Sequence, residues 1–62
     1  MDIEQTRDIV AVNKSGHVVA LATSDGGRGD LVFARDYGRK FRIEMMPIPE
    51  ACSRYLRYLK SV

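Results

Sequence analysis

The stretch Ser24-Asp25-Gly26-Gly27-Arg28-Gly29-Asp30-Leu31-Val32-Phe33-Ala34-Arg35 decides how many strands this chain forms. Its first seven residues hold three glycines among polar neighbours. Glycine tolerates positive φ and the polar residues offer no core, so this part is expected to be a mobile connector. Leu31 to Arg35 then gives a short apolar run, expected as a strand over 31–35. Asp36-Tyr37-Gly38-Arg39 supplies turn chemistry. Beyond it, Phe41, Ile43 and Met45 alternate with Lys40, Arg42 and Glu44, the period of a strand, placed at 40–46. The two runs would pair as a hairpin.

Upstream, residues 8–13 are rich in β-branched and small side chains, Asn13-Lys14-Ser15-Gly16 is turn material, and 17–23 is apolar again, giving another hairpin. Downstream, Pro47 and Pro49 end the last strand because proline cannot donate to a ladder, and Pro49 suits a first helical position. From Ile48 onward, Ile48, Cys52, Tyr55, Leu59 and Val62 fall within about 40° of one line on a helical projection, flanked by Ala51, Leu56 and Tyr58. Glu50, Ser53, Arg54, Arg57, Lys60 and Ser61 fill the other side. Glu50 and Arg54 stand in the favourable i,i+4 order. These elements predict an α+β fold of order ββββα. A small four-stranded antiparallel sheet of two hairpins, open to curling into a partial barrel, would carry one C-terminal amphipathic helix at 49–61.

At 62 residues, 45% hydrophobic and 29% charged, the chain is expected to form one small domain spanning 1–62. Its one cysteine, Cys52, cannot form an intramolecular disulfide, which favours a reducing compartment and a cytoplasmic location. The longest apolar run, from Val18 to Ala22, is far short of the ~20 residues a membrane helix needs. No membrane association and no secretory segment are therefore expected. The net charge of +2 is too small to imply a nucleic-acid partner by itself. Its distribution is uneven, with Asp2, Glu4 and Asp8 near the start and most of the arginines in the second half.

One helix hides one sheet face, so the other face should turn polar in every strand. Val18, Ala20 and Ala22 on the second strand and Val32 and Ala34 on the third instead place apolar groups there. Either the hairpins curl to bury both faces, or another chain covers the second face, a second copy or a target protein. On the latter reading Val18, Ala20 and Val32 form the centre of a partner-binding surface rimmed by Arg35, Arg39 and Arg42, arginine being favoured at interfaces.

The residues that could carry chemistry do not assemble by spacing. Nothing in the sequence places His17, the single histidine, beside Cys52, and one of each cannot complete a tetrahedral metal site. His17 reads as a turn-flanking polar residue, and Cys52 as a small buried hydrophobe. The carboxylates show no acid–base pairing. Gly26-Gly27-Arg28-Gly29 lacks the Lys-Ser/Thr of a phosphate loop. Arg28-Gly29-Asp30 matches the integrin-binding tripeptide, which has no use in a reducing compartment. No catalytic residue, metal or cofactor is expected.

What remains points to a binder, a non-catalytic regulatory or inhibitory protein that occludes a surface of a larger protein, such as a nucleic-acid-handling complex. Phage and mobile-element inhibitors, anti-CRISPR proteins among them, are similar in size. Self-association as a homodimer fits the same surplus. The alternative is a small DNA- or RNA-binding protein gripping phosphates through Arg39, Lys40, Arg42, Arg54, Arg57 and Lys60. Gly38-Arg39-Lys40 leading into a strand and a proline-started helix loosely resembles the single-strand-binding transcriptional coactivators. The element order is also similar to the small archaeal chromatin proteins. Those resemblances imply a four-strand-plus-helix fold or a barrel ending in a helix, and they assign no site residue.

Overall fold

A computed structural model describes residues 7–62. The elements run β1 (Arg7–Val12), β2 (Val18–Thr23), α1 (Arg28–Tyr37), β3 (Arg42–Pro47) and α2 (Ile48–Ser61). The fold is α+β, with a three-stranded sheet of order β2-β1-β3, antiparallel at both seams. Both hydrogen-bonded neighbours of β1 run against it, so β2 and β3 point the same way and α1 crosses from one end of the sheet to the other between them.

The first hairpin forms where the turn residues place it. The Gly16 N–H donates to the Asn13 carbonyl at 3.0 Å and the His17 N–H donates to Asn13 Oδ1 at 2.9 Å. Gly16 takes φ +86°, the left-handed position that closes this kind of hairpin loop. The register then slips once between Ala11 and Val12, so Val19 bulges out of the ladder.

The largest correction concerns 24–35. The expected connector is structured and the expected strand at 31–35 lies inside α1, so the described residues form three strands and two helices rather than ββββα. Among the described residues the four-strand or barrel architecture implied by the resemblances does not appear either. The loop itself starts the helix. Asp25 Oδ1 accepts the Gly27 N–H at 2.9 Å, its Oδ2 accepts the Gly29 N–H at 3.0 Å, and Asp30 Oδ2 reaches back to the Gly26 N–H at 3.1 Å and the Ser24 hydroxyl at 2.6 Å. This is a reciprocal cap, in which each end of the loop satisfies the other's free amides. A Cβ on Gly29 would sit 2.6 Å from Asp25 Oδ2, so a side chain there would push that carboxylate off the cap. At the far end the Gly38 N–H donates to the Ala34 carbonyl at 2.8 Å, and a Cβ on Gly38 would collide with that oxygen.

With α1 in place, the apolar surplus has a cover within the chain. The even residues of β1, Val10 and Val12, face α2 together with Val18, Met46 and Ala51. The odd ones, Ile9 and Ala11, face α1 and its buried Phe33, with Val19, Ala20, Ala22, Phe41 and Ile43 packed around them. β1 is thus a central strand buried on both sides, which is why its sequence does not alternate. α2 starts one residue earlier than expected and buries Ala51, with Tyr55 packed beside it. Cys52, expected on the buried side, is exposed, because the line of burial runs through Ala51 and Tyr55 and leaves Cys52, Leu56 and Leu59 on an open flank. Among the described residues no helix is long and apolar enough to cross a membrane.

Candidate partner-binding surface

On α1, Phe33 faces the sheet, and Tyr37 one turn later packs on it with ring centroids 4.6 Å apart and on Phe41 at 6.4 Å. The residues a half-turn away, Arg28, Leu31, Val32 and Arg35, follow i, i+3, i+4, i+7 spacing and form one outer ridge. Leu31 is 72% exposed and Val32 39% exposed, an apolar pair bracketed by two arginines. The Arg35 guanidinium lies 3.8 Å from Asp36 with both side chains largely in solvent, a weak pair that leaves the arginine able to exchange partners. Arg39 follows in the exposed turn after the helix.

This arrangement unites only part of the expected partner-binding set. Val32, Arg35 and Arg39 come together on or beside the ridge. Val18 is fully buried beneath α2 and offers no surface. Ala20 is half-buried on the sheet face beside α1. Arg42 pairs with Glu44 on β3, opposite Val12 and so on the α2 face. Sequence reasoning missed Arg28 and Leu31, because a loop followed by a strand has no three-and-a-half-residue periodicity in which to find them.

The expected nucleic-acid set divides differently. The Arg54 side chain donates to the Gly16 carbonyl at 2.8 Å and lies 3.7 Å from Glu50, so it ties α2 to the hairpin turn. His17 sits against Tyr58 with ring centroids 6.0 Å apart. These contacts show that α2 runs toward the β1–β2 turn. α1 also ends there, since β3 begins opposite Val12. One end of the molecule therefore gathers Lys14, Arg39, Lys40, Arg42, Arg57 and Lys60. The other holds both helix starts, with Asp8, Asp25, Asp30 and Glu50 against Arg7 and Arg28. Each helix thus has acid at its positive end and base at its negative end. Asp8 itself is only 2% exposed.

The Asp25 carboxyl is held below its ordinary value of 3.8, first by the Gly27 N–H and then by that of Gly29, both of which bind the charged form. Among the described residues no three or more His, Cys, Asp or Glu side chains are grouped to hold a metal ion, and no pocket opens. The surface that stands out is convex, an apolar pair on a helix among arginines. No known protein family, curated protein or solved structure matches the chain.

Proposed function

We propose that this chain is a non-catalytic protein-binding module, a small regulator or inhibitor that acts by covering part of a larger protein. The observation that carries this reading is the α1 ridge, in which Leu31 is 72% exposed although α1 has a buried side to fill. A helix that presents i, i+3, i+4, i+7 anchors fits an apolar groove in a partner, and Arg28 and Arg35 at its ends call for acidic residues on the rim of that groove. Occlusion is the mechanism, since the bound helix excludes whatever the groove otherwise holds. The partner class proposed is a nucleic-acid-handling complex, engaged at an acidic protein groove and not along its basic nucleic-acid path, and the analogy with phage and mobile-element inhibitors, anti-CRISPR proteins included, rests on size alone.

Capture of a stoichiometric partner from the native host, repeated with Leu31→Glu and Arg35→Glu, tests the proposal. Both positions are exposed, so the fold should stay intact while affinity falls at least tenfold. Equal recovery of the partner by both variants would remove the ridge from consideration.

A second reading has its own observation, the gathering of Arg39, Lys40, Arg42, Arg57 and Lys60 with Lys14 at one end of the molecule. A DNA- or RNA-binding role through that end requires a steep salt dependence, about 0.7 to 0.9 log units of affinity per phosphate contact for each log of salt. Absence of any shift of labelled DNA or RNA at low salt would dismiss it.

A further inference from the structure

The two edges of the sheet are unlike. β3 is Arg42-Ile43-Glu44-Met45-Met46-Pro47, an edge carrying two charges and a proline, all of which discourage strand addition. β2 is Val18-Val19-Ala20-Leu21-Ala22-Thr23, with neither charge nor proline. The Ser24 N–H donates to the Arg7 carbonyl at 2.9 Å, so Arg7, Ile9 and Ala11 turn their backbone groups toward β2. By antiparallel alternation Ala20 and Ala22 bond inward to β1, and the N–H and C=O groups of Leu21 and Thr23 point outward. Among the described residues nothing pairs with them.

We infer that the β2 edge pairs antiparallel with the β2 edge of a second copy of this chain, on a twofold axis through Ala22, making a continuous six-stranded sheet. The edge is complementary to itself. Leu21 of one chain stands opposite Thr23 of the other, and each pair exchanges two hydrogen bonds, using the outward groups and staying clear of the bulge at Val19. Ala22 meets its own copy at a position without hydrogen bonds, where Cα atoms approach to about 4.5 Å and a methyl side chain fits. Charge supports this occupant over an unrelated strand. Antiparallel pairing reverses the molecule end for end, so the hairpin turn with Lys14 of one copy lies on the same side of the axis as the loop with Asp25 and Asp30 of the other. The α1 ridge lies on a sheet face rather than on this seam, so the inference stands apart from the proposed protein-binding role.

The test is the mass of the full chain in solution across concentration, read by sedimentation, for the native protein and a copy with Leu21 N-methylated, assembled from synthetic peptides joined at Cys52. N-methylation removes one outward donor and touches no bond to β1. The native chain is expected to reach twice its monomer mass, and the N-methyl-Leu21 chain to dissociate at least tenfold more readily with unchanged circular dichroism. Methylating Met45, whose N–H points out from the β3 edge, should leave association as it was. Thr23→Lys, at an exposed position beside the axis, should weaken association in the recombinant protein, and added salt should do the same. A native chain that stays monomeric at millimolar concentration overturns the inference, as does a dimer indifferent to methylation at Leu21 and to Thr23→Lys.

Discussion

α1 and α2 cover opposite faces of the same three-stranded sheet, yet they are attached in different ways. α2 has 14 residues and packs Ala51 and Tyr55 against Val10, Val12 and Val18 of β1 and β2, with Arg54 and Tyr58 reaching the hairpin turn. α1 has 10 residues, buries Phe33 alone, and relies on a loop of carboxylates to begin. The lesson is that a helix with a single buried side chain can cover a sheet face, with Phe41, Ile43 and Tyr37 filling around it, when that helix is started and stopped by local hydrogen bonds. Such a helix keeps most of its surface free, and α1's outer ridge is where the candidate interaction residues lie.

Removing Phe33 should show the difference most strongly. Phe33→Ala takes away the one buried anchor of α1, and core Phe→Ala changes cost about 3–5 kcal/mol, comparable to the whole stability of a domain this small. Thermal denaturation should show loss of the folded state, or of α1 with Ile9 and Ala11 exposed. The matching change on α2 is milder. Arg54→Ala loses a charged hydrogen bond to the Gly16 carbonyl in a partly exposed setting, about 1 kcal/mol, and chemical denaturation should show a lower midpoint with an unchanged slope.

The start of α1 also predicts a pH response. The folded protein holds Asp25 charged below its ordinary 3.8, so this cap stabilises α1 above that pH and is lost as pH falls through the lower folded value. Hydrogen exchange at Gly29 and Leu31 should accelerate there while α2 amides keep their protection, and Asp25→Ala should show the fast exchange already at neutral pH. The smallest effect is expected on the open flank of α2. Cys52 is exposed, so Cys52→Ser should change stability by less than about 0.5 kcal/mol, against the larger loss a buried thiol would give.

The same contrast explains what the residue pattern discloses. α2 is legible because a 14-residue element shows several turns of periodicity and has Pro49 and Glu50 at its start. β1, β2 and β3 are legible to within two residues at each end. α1 is not, because Leu31 to Arg35 is short enough to satisfy either period and Gly26, Gly27 and Gly29 read as a linker. The signal was the Asp25 and Asp30 pair, whose spacing matches no common capping box and whose effect depends on Gly29 lacking a Cβ. Once α1 is missed, the helical ridge that joins Arg28 and Leu31 to Val32 and Arg35 is missed with it. The residues of β2 and of 31–35 then seem to share one exposed face, when Val18 is in the core and Val32 lies on a helix on the other side of the sheet.

The central position of β1 bears on how the protein is made. A ribosome delivers β1 and β2 well before β3, yet β1 has one whole side of its ladder reserved for residues 42–47, one face reserved for α1, which follows β2, and the other for α2, which follows β3. Before β3 emerges the chain holds only the β1–β2 hairpin with α1 on one face, while Val10, Val12 and Val18 on the other face still lack α2. Folding must wait until most of α2 is out, and a protease cut between β2 and β3 would separate the strand that completes the sheet from the strands that need it.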